Sequence, residues 1–199
     1  MPQIDLREYK GALRKKIRAW RQGIDPEQKK TWDLKIAQNV RRLYQYKSAK
    51  TILAYVSTPI EVSTAEIIKN ARLDGKKVAV PRCIKGTRQM QFFYINSTDD
   101  LEEGSFSLME PKETLPKLEN FDGCLMLLPA FSVDRGGYRL GYGMGYYDRF
   151  LAKYTGSTSC ICYSENVCGN MHRGKFDRPV DVIVTEKFIK TVARAKKAF

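Results

Sequence analysis

Arg139-Leu140-Gly141-Tyr142-Gly143-Met144-Gly145-Tyr146-Tyr147-Asp148 sets three glycines on alternate positions, with an arginine before them, paired tyrosines after them and a carboxylate at the close. Upstream, Leu125 to Leu128 is a short, strongly apolar run that reads as a central buried strand. Downstream, Tyr146 to Tyr154 reads as a helix with Phe150 and Leu151 on its buried side. Glycine has no Cβ, so it admits positive φ and lets a charged ligand approach main-chain N–H groups. The helix start adds free N–H groups and a positive dipole end. The run is thus expected to cradle phosphate, with Asp148 placed to hold a magnesium ion beside it. The spacing is neither the dinucleotide fingerprint nor the Walker loop. By spacing alone, a tight connection between strand and helix explains it equally well. Arg139, the tyrosines and Asp148 add an anion clamp, stacking faces and a metal ligand in one stretch.

The rest of the chain alternates helices with short apolar strands. Leu6, Tyr9, Leu13, Ile17 and Trp20 repeat at three and four residues, predicting an amphipathic helix from about Asp5 to Gln22, on which Lys10 and Arg14 lie one turn apart. Asp25-Pro26 is a cap and first-turn proline for a second helix through Trp32, Ile36, Val40 and Leu43. Strands are expected at Thr51 to Val56, Lys77 to Val80, Met90 to Ile95, Ser159 to Tyr163 and Val182 to Thr185. Ser63 and Glu66 read as a capping box for a helix ending at Gly75. A short basic helix is expected to close the tail after Glu186. This alternation predicts an α/β fold: a three-layer α/β/α sandwich around a mostly parallel sheet, with ligand loops at strand ends after Val56, after Leu128 and near Asp177.

A chain of 199 residues suits one domain, expected over 1–199. It has no apolar run of membrane-spanning length, and Met1-Pro2-Gln3-Ile4-Asp5 lacks a secretion signal, so a cytoplasmic protein with no membrane partner is expected. Cys83, Cys124, Cys160, Cys162 and Cys168 show no metal-ligand or paired spacing and read as reduced thiols, with Cys124 and Cys160 or Cys162 buried on strands. The formal charge of +13 points to an anionic partner without saying which. Arg14, Lys15, Lys16, Arg18 and Arg21 crowd one helix, and Lys29, Lys30, Lys35, Arg41 and Arg42 the next. Solvated helix faces are the ordinary explanation of such charge. A catalytically silent RNA-binding protein is the rival reading, against which stands the lack of an aromatic RNA-recognition motif.

Leu128-Pro129-Ala130-Phe131-Ser132-Val133-Asp134, followed by Gly137-Tyr138 and the glycine run, resembles the signature of the 5-formyltetrahydrofolate cyclo-ligase (5,10-methenyltetrahydrofolate synthetase) family. Lys10-Gly11-Ala12-Leu13-Arg14 with Arg21 is similar to that family's amino-terminal helix, and Val56 to Thr64 to its substrate loop carrying Glu61. Asp177-Arg178-Pro179-Val180-Asp181 to Glu186 is similar to its closing stretch. Three features depart from the pattern: Phe176 where many relatives have histidine, Met144 where glycine or lysine is common, and Glu165 to Lys175, which matches poorly.

The resemblance implies a Rossmann-like fold shared with sugar-phosphate isomerases and CoA transferases. It implies a reaction in which 5-formyltetrahydrofolate is cyclised to 5,10-methenyltetrahydrofolate through a phosphorylated imidate, with ATP as co-substrate and Mg2+ as cofactor. The partners are then small molecules, nucleic acid is not expected, and the protein is expected to act as a monomer. Carried over by position, Lys10, Gly11, Ala12, Leu13 and Arg14 would contact ATP, together with Arg139, Leu140, Gly141, Tyr142, Gly143, Met144, Gly145, Tyr146 and Tyr147. Val56, Glu61 and Phe106 would contact folate, as would Tyr142 to Tyr146. Asp148 and Asp177 would hold the metal, and Lys10, Arg139 and Tyr146 would be catalytic. The plainer alternatives are solvated charges for Lys10, Arg14 and Glu61, a helix-dipole carboxylate for Asp148, and an acceptor of a loop amide for Asp177. His172, the single histidine, is expected in a surface loop with no catalytic role.

Overall fold

Two aspartates open the first two helices. Asp5 Oδ1 accepts from the amides of Arg7 and Glu8 at the head of α1 (Leu6–Gln22), and Asp25 Oδ1 accepts from Gln28 at the head of α2 (Pro26–Arg42). A short α3 (Tyr44–Ser48) leads into β1 (Thr51–Leu53), and α4 (Ala65–Leu73) precedes the hairpin of β2 (Lys77–Cys83) and β3 (Met90–Tyr94). A second hairpin, β4 (Leu101–Glu103) and β5 (Met109–Pro111), is followed by β6 (Cys124–Pro129), β7 (Ser132–Asp134), β8 (Arg139–Leu140) and α5 (Tyr146–Leu151). The chain continues through β9 (Ser157–Ile161), β10 (Val167–Cys168), β11 (Val182–Val184) and β12 (Ile189–Thr191). This computed structural model describes residues 5–105 and 108–192.

The main sheet has the order β12-β11-β9-β6-β1-β2-β3. Its five inner strands are parallel, and β12 and β3 run antiparallel at the edges. At the centre Ile52 lies beside Val78 on one side and Leu125 on the other. Successive side chains of a strand point to opposite faces, so the alternating set builds two cores. On one face Ile52, Val78, Leu125, Leu127 and Val184 meet Ile36 and Val40 of α2 and Ile67 of α4. Ile36 and Val40 are wholly buried, each contributing about 2 kcal/mol of hydrophobic stabilisation. On the other face Leu53, Phe92, Met126, Leu128, Cys160 and Ile183 meet Phe150 and Leu151 of α5 and Val133 of β7. The structure is thus an α/β protein with a mostly parallel, seven-stranded mixed sheet flanked by helices.

Several local expectations are corrected. The strand at Thr51 stops at Leu53: Ala54 still gives its amide to Ala79 O, but Tyr55 O accepts from Thr64 Oγ1 rather than from a neighbouring strand. The capping box at Ser63 does not form. Thr64 is the N-cap of α4 and spends its hydroxyl on Tyr55, leaving that helix without a side-chain cap bond. The helix after the glycine run ends at Leu151 rather than Tyr154. Beyond Glu186 the chain forms β12, and the terminal helix expectation falls on 193–199, outside the described residues. Cys124 and Cys160 are buried on strands, as expected, and Cys162 is buried just past β9; all five cysteines are free thiols. Among the described residues no helix is long and apolar enough to cross a membrane.

Candidate active site

α1 sorts its cations by face. Lys15, Lys16 and Arg18 are exposed, whereas Lys10 and Arg14 are half-buried and Arg21 is buried on the side that carries Ile17. Positions 10, 14, 17 and 21 follow the helical repeat, so one stripe of α1 points at the carboxyl ends of the strands. Lys10 Nζ donates to Asp177 Oδ2 at 2.5 Å. Arg14 Nε donates to the carbonyl of Gly141 at 2.7 Å. Burial lowers the Arg14 pKa, and the charge of Asp177 opposes that shift.

Arg21 locks this helix to two loops. Its Nη2 donates to Ala130 O at 2.6 Å and Phe131 O at 3.1 Å, while Nη1 donates to Ile60 O at 3.3 Å, next to Glu61. The guanidinium also lies 5.4 Å from the centre of the Phe131 ring. Sequence reasoning grouped Arg21 with the surface charges and gave it no role. The signal was its seven-residue spacing from Arg14, which puts both on one face.

The glycine run leaves β8 and enters α5. Gly143 and Gly145 adopt φ of 94° and 75°. A Cβ on Gly143 would sit 2.9 Å from Arg14 Nη2, so the loop backbone and the arginine share a space with no room for a side chain. Arg139, with a side chain only 3% exposed, donates from Nη1 to Asp148 Oδ1 at 2.9 Å. Its buried Nε–H has no acceptor among the described residues, a state that a bound oxyanion would relieve. Tyr147 lies under the same guanidinium, 5.8 Å from ring centre to Cζ.

On the other side of the loop stands Glu61, 6% exposed. Its Oε2 accepts from Thr58 N at 2.8 Å and Thr58 Oγ1 at 2.9 Å, so it is not the solvated loop carboxylate of the plainer reading. Burial and then the Glu61 charge push the Tyr142 hydroxyl up to about 12, and the same two causes raise that of Tyr147. Both phenols stay protonated at neutral pH and are donors beside a carboxylate. Tyr142 stands edge-on to Phe131, with ring centres 4.8 Å apart. Val56 is partly buried against the core. Tyr146 donates its hydroxyl to Thr87 O at 3.1 Å, and Met144 is exposed.

Asp148 and Asp177 are the candidate metal carboxylates. In this structure each faces a cation, and Asp177 also accepts from Gly174 N at 2.9 Å, as its plainer reading foresaw. No cluster of three or more His, Cys, Asp or Glu groups suited to a metal occurs among the described residues. Magnesium is commonly held by one or two carboxylates with water and substrate phosphates supplying the rest. Asp148 and Asp177 are each partly exposed, so either carboxylate is open to a magnesium ion that arrives with a nucleotide. Phe106 lies outside the described residues. His172 is exposed and meets the Tyr9 ring edge-on at 4.9 Å.

A parallel sheet with a buried arginine, a glycine loop and a buried glutamate gathered at its carboxyl edge defines an α/β enzyme of the open-sheet class. The chain belongs to the 5-formyltetrahydrofolate cyclo-ligase family, whose model matches residues 7–186. It is 26% identical to the mouse 5-formyltetrahydrofolate cyclo-ligase over 94% of this chain and 98% of that one. With the Saccharomyces cerevisiae 5-formyltetrahydrofolate cyclo-ligase it shares 30% identity over 75% of this chain and 82% of that one. The solved 5,10-methenyltetrahydrofolate synthetase of Aquifex aeolicus superposes with a TM-score of 0.82 at 29% identity, covering 96% of both chains. Family membership makes the chain a ligase of folate one-carbon metabolism.

Proposed function

We propose that the chain cyclises 5-formyltetrahydrofolate to 5,10-methenyltetrahydrofolate at the expense of ATP, releasing ADP and phosphate, and that it works as a monomer built as one domain. The observation that carries this reading is that Arg14 and Arg139 meet the glycine run at Gly141 and Asp148, with Lys10 one turn from Arg14 on Asp177, while buried Glu61 lies close to Tyr142 of the same run. The same run thus brings together cations suited to phosphate and a carboxylate suited to ring N–H groups.

The formyl oxygen attacks the γ-phosphorus, the bond to the ADP oxygen breaks, and a phosphorylated imidate forms. N10 then attacks the imidate carbon and loses its proton to water, and the C–O bond breaks to release phosphate. A formamide oxygen is a poor leaving group until it is phosphorylated, so the protein's task is positioning and charge neutralisation. Lys10, Arg14 and Arg139 would hold the phosphate oxygens, joined by the loop amides. Glu61 would accept hydrogen bonds from the pterin, with Val56, Tyr142 and Tyr146 on the substrate side. Asp148 and Asp177 would hold magnesium, which would supply positive charge to neutralise the phosphates.

This arrangement implies an exchange of partners. Before the nucleotide binds, Lys10 and Arg139 neutralise the two carboxylates. With magnesium nucleotide bound, Asp148 and Asp177 would be the groups to hold the metal, and Lys10 and Arg139 would be free to pair with phosphate, so no charge would be left alone. The test is the absorbance of the methenyl product: it rises only when protein, ATP, Mg2+ and 5-formyltetrahydrofolate are all present. No rise with fully folded protein refutes the reading.

A further inference from the structure

At the amino ends of β1 and β2, the edge of the sheet opposite the glycine run, lies a cleft of about 550 Å³ whose walls include Lys47, Lys50, Lys76, Lys77, Tyr94 and Asp122. Strand register crowds these cations. Thr51 lies beside Lys77, Lys77 N donates to Lys50 O, and Lys50 N donates to Gly123 O. Lys76 is half-buried and fixed: its Nζ donates to Ala49 O at 2.7 Å and Lys47 O at 3.2 Å, 5.1 Å from the centre of the Tyr46 ring. An ammonium carries three donors, so one is left over. Lys77 Nζ stands 5.3 Å from the centre of the Tyr94 ring. Among the described residues none of these four lysines is ion-paired. The second carboxylate in the wall, Asp74, is already engaged by Arg41 through Nε at 2.9 Å and Nη2, and by the Tyr46 hydroxyl at 2.8 Å.

We infer that this cleft is a second anion site, taking a phosphorylated small molecule and separate from the active site at the carboxyl edge. Like charges crowded in a concavity repel one another and focus their field on the space they enclose. An anion of two or more charges relieves that repulsion between Lys50 and Lys77 and meets the third donor of Lys76. Lysine ammoniums are compact charges whose donors turn freely, which suits the tetrahedral oxygens of phosphate; the planar fork of arginine, which suits a carboxylate, is missing from the walls. The volume is that of a small-molecule site. Arg41, the neighbouring cation, is spent on Asp74, which favours a compact anion over a nucleic-acid strand that tracks a long basic groove. The cations assigned to ATP, Lys10, Arg14 and Arg139, lie on α1 and β8, so the proposed reaction leaves this group of lysines without a task.

The experiment titrates the isotope-labelled full chain with pyrophosphate, without Mg2+ and at low salt, and follows the backbone amide resonances. Those of Lys50, Lys77 and Gly123 should shift together, with a dissociation constant of their own, apart from any shift at Gly143 and Gly145. Lys50→Gln/Lys77→Gln should weaken binding at the first set by about tenfold, the order given by two lost charge contacts, and added salt should weaken it further. Shifts at the glycine run and turnover of 5-formyltetrahydrofolate should stay as in wild type. No shift at Lys50, Lys77 and Gly123 at millimolar pyrophosphate, or an unchanged constant in the variant, overturns the site. Inorganic phosphate and ADP form separate arms. If either binds at the first set, its ligand is a product of the proposed reaction; if pyrophosphate alone binds, the ligand is a phosphorylated compound from elsewhere, and both results support the site. A single-stranded oligonucleotide that shifts this set where pyrophosphate does not makes the face a nucleic-acid interface and overturns the small-molecule site. Turnover is read separately, so the cyclo-ligase reading and this site fail independently.

Discussion

Arg139 and Asp148, the first and last residues of the glycine run, close on each other through a 2.9 Å hydrogen bond, with the arginine buried and the aspartate partly open to solvent. The loop is therefore a ring fastened by an ion pair, and the carboxylate at the fastening is the one proposed to hold metal. Asp148→Asn should abolish the Mg2+ dependence of nucleotide affinity, read by titration calorimetry with ADP in the presence and absence of Mg2+. It should also lower stability by about 1–3 kcal/mol, below the cost of breaking a fully buried pair because Asp148 is partly exposed. Unchanged Mg2+ dependence would remove Asp148 from the metal site.

Glu61→Gln keeps the size of the side chain and the bonds from Thr58 while removing the charge. The KM for 5-formyltetrahydrofolate should rise about tenfold or more, as for loss of a charge-assisted hydrogen bond, with the KM for ATP retained. An equal rise in both constants would place Glu61 in the scaffold instead.

Gly143→Ala sets a methyl group against the Arg14 guanidinium at a backbone angle that favours glycine. Arg14 must swing away, so nucleotide affinity should fall by tenfold or more. An Arg14→Ala change added to Gly143→Ala should then cost little further, because neighbours that share a contact are not additive. Full additivity in this double-mutant cycle would refute the coupling.

Arg21→Met should unfold at lower urea. The carbonyls of Ala130, Phe131 and Ile60 lose a donor in a buried place, and each unsatisfied group costs about 1–3 kcal/mol. A denaturation midpoint equal to wild type would contradict the role of Arg21 as the brace between α1 and the two loops.

Alkaline pH should loosen the fold through the buried thiol of Cys162 and the half-buried thiol of Cys83. Burial pushes Cys162 up to about 11, and burial with Glu110 does the same to Cys83, from an ordinary value of 9.0. A raised acid pKa favours the folded protein fully below pH 9, and the benefit drains away as pH climbs from 9 to 11, because the unfolded thiols ionise first. The melting temperature should decline across that window, and Cys162→Ala should flatten the decline.

The parallel sheet, both long helices and the glycine run were readable in the sequence because each rests on a local signal: apolar runs, a three-and-four repeat with capping aspartates, or glycine periodicity. What escaped were features made by distant residues. The strand at β12 and the two-residue strands β8 and β10 have no periodicity long enough to register, and they exist only as partners of other strands. The Ser63 capping box does not form because the helix begins one residue later, with Thr64 as N-cap, and Ser63 Oγ accepts from Ala65 N instead. Arg21 reads as one more helix charge because burial of an arginine depends on carbonyls supplied from two distant loops.

The contact of Lys10 with Asp177 spans 167 positions of chain. During synthesis the lysine leaves the ribosome long before its aspartate is translated, so a growing chain carries Lys10 without Asp177 and lacks the complete proposed cradle. Substrates cannot steady such a partial chain; they reward only the finished polypeptide, and the long closure that completes the pocket falls among the slow, late events of folding.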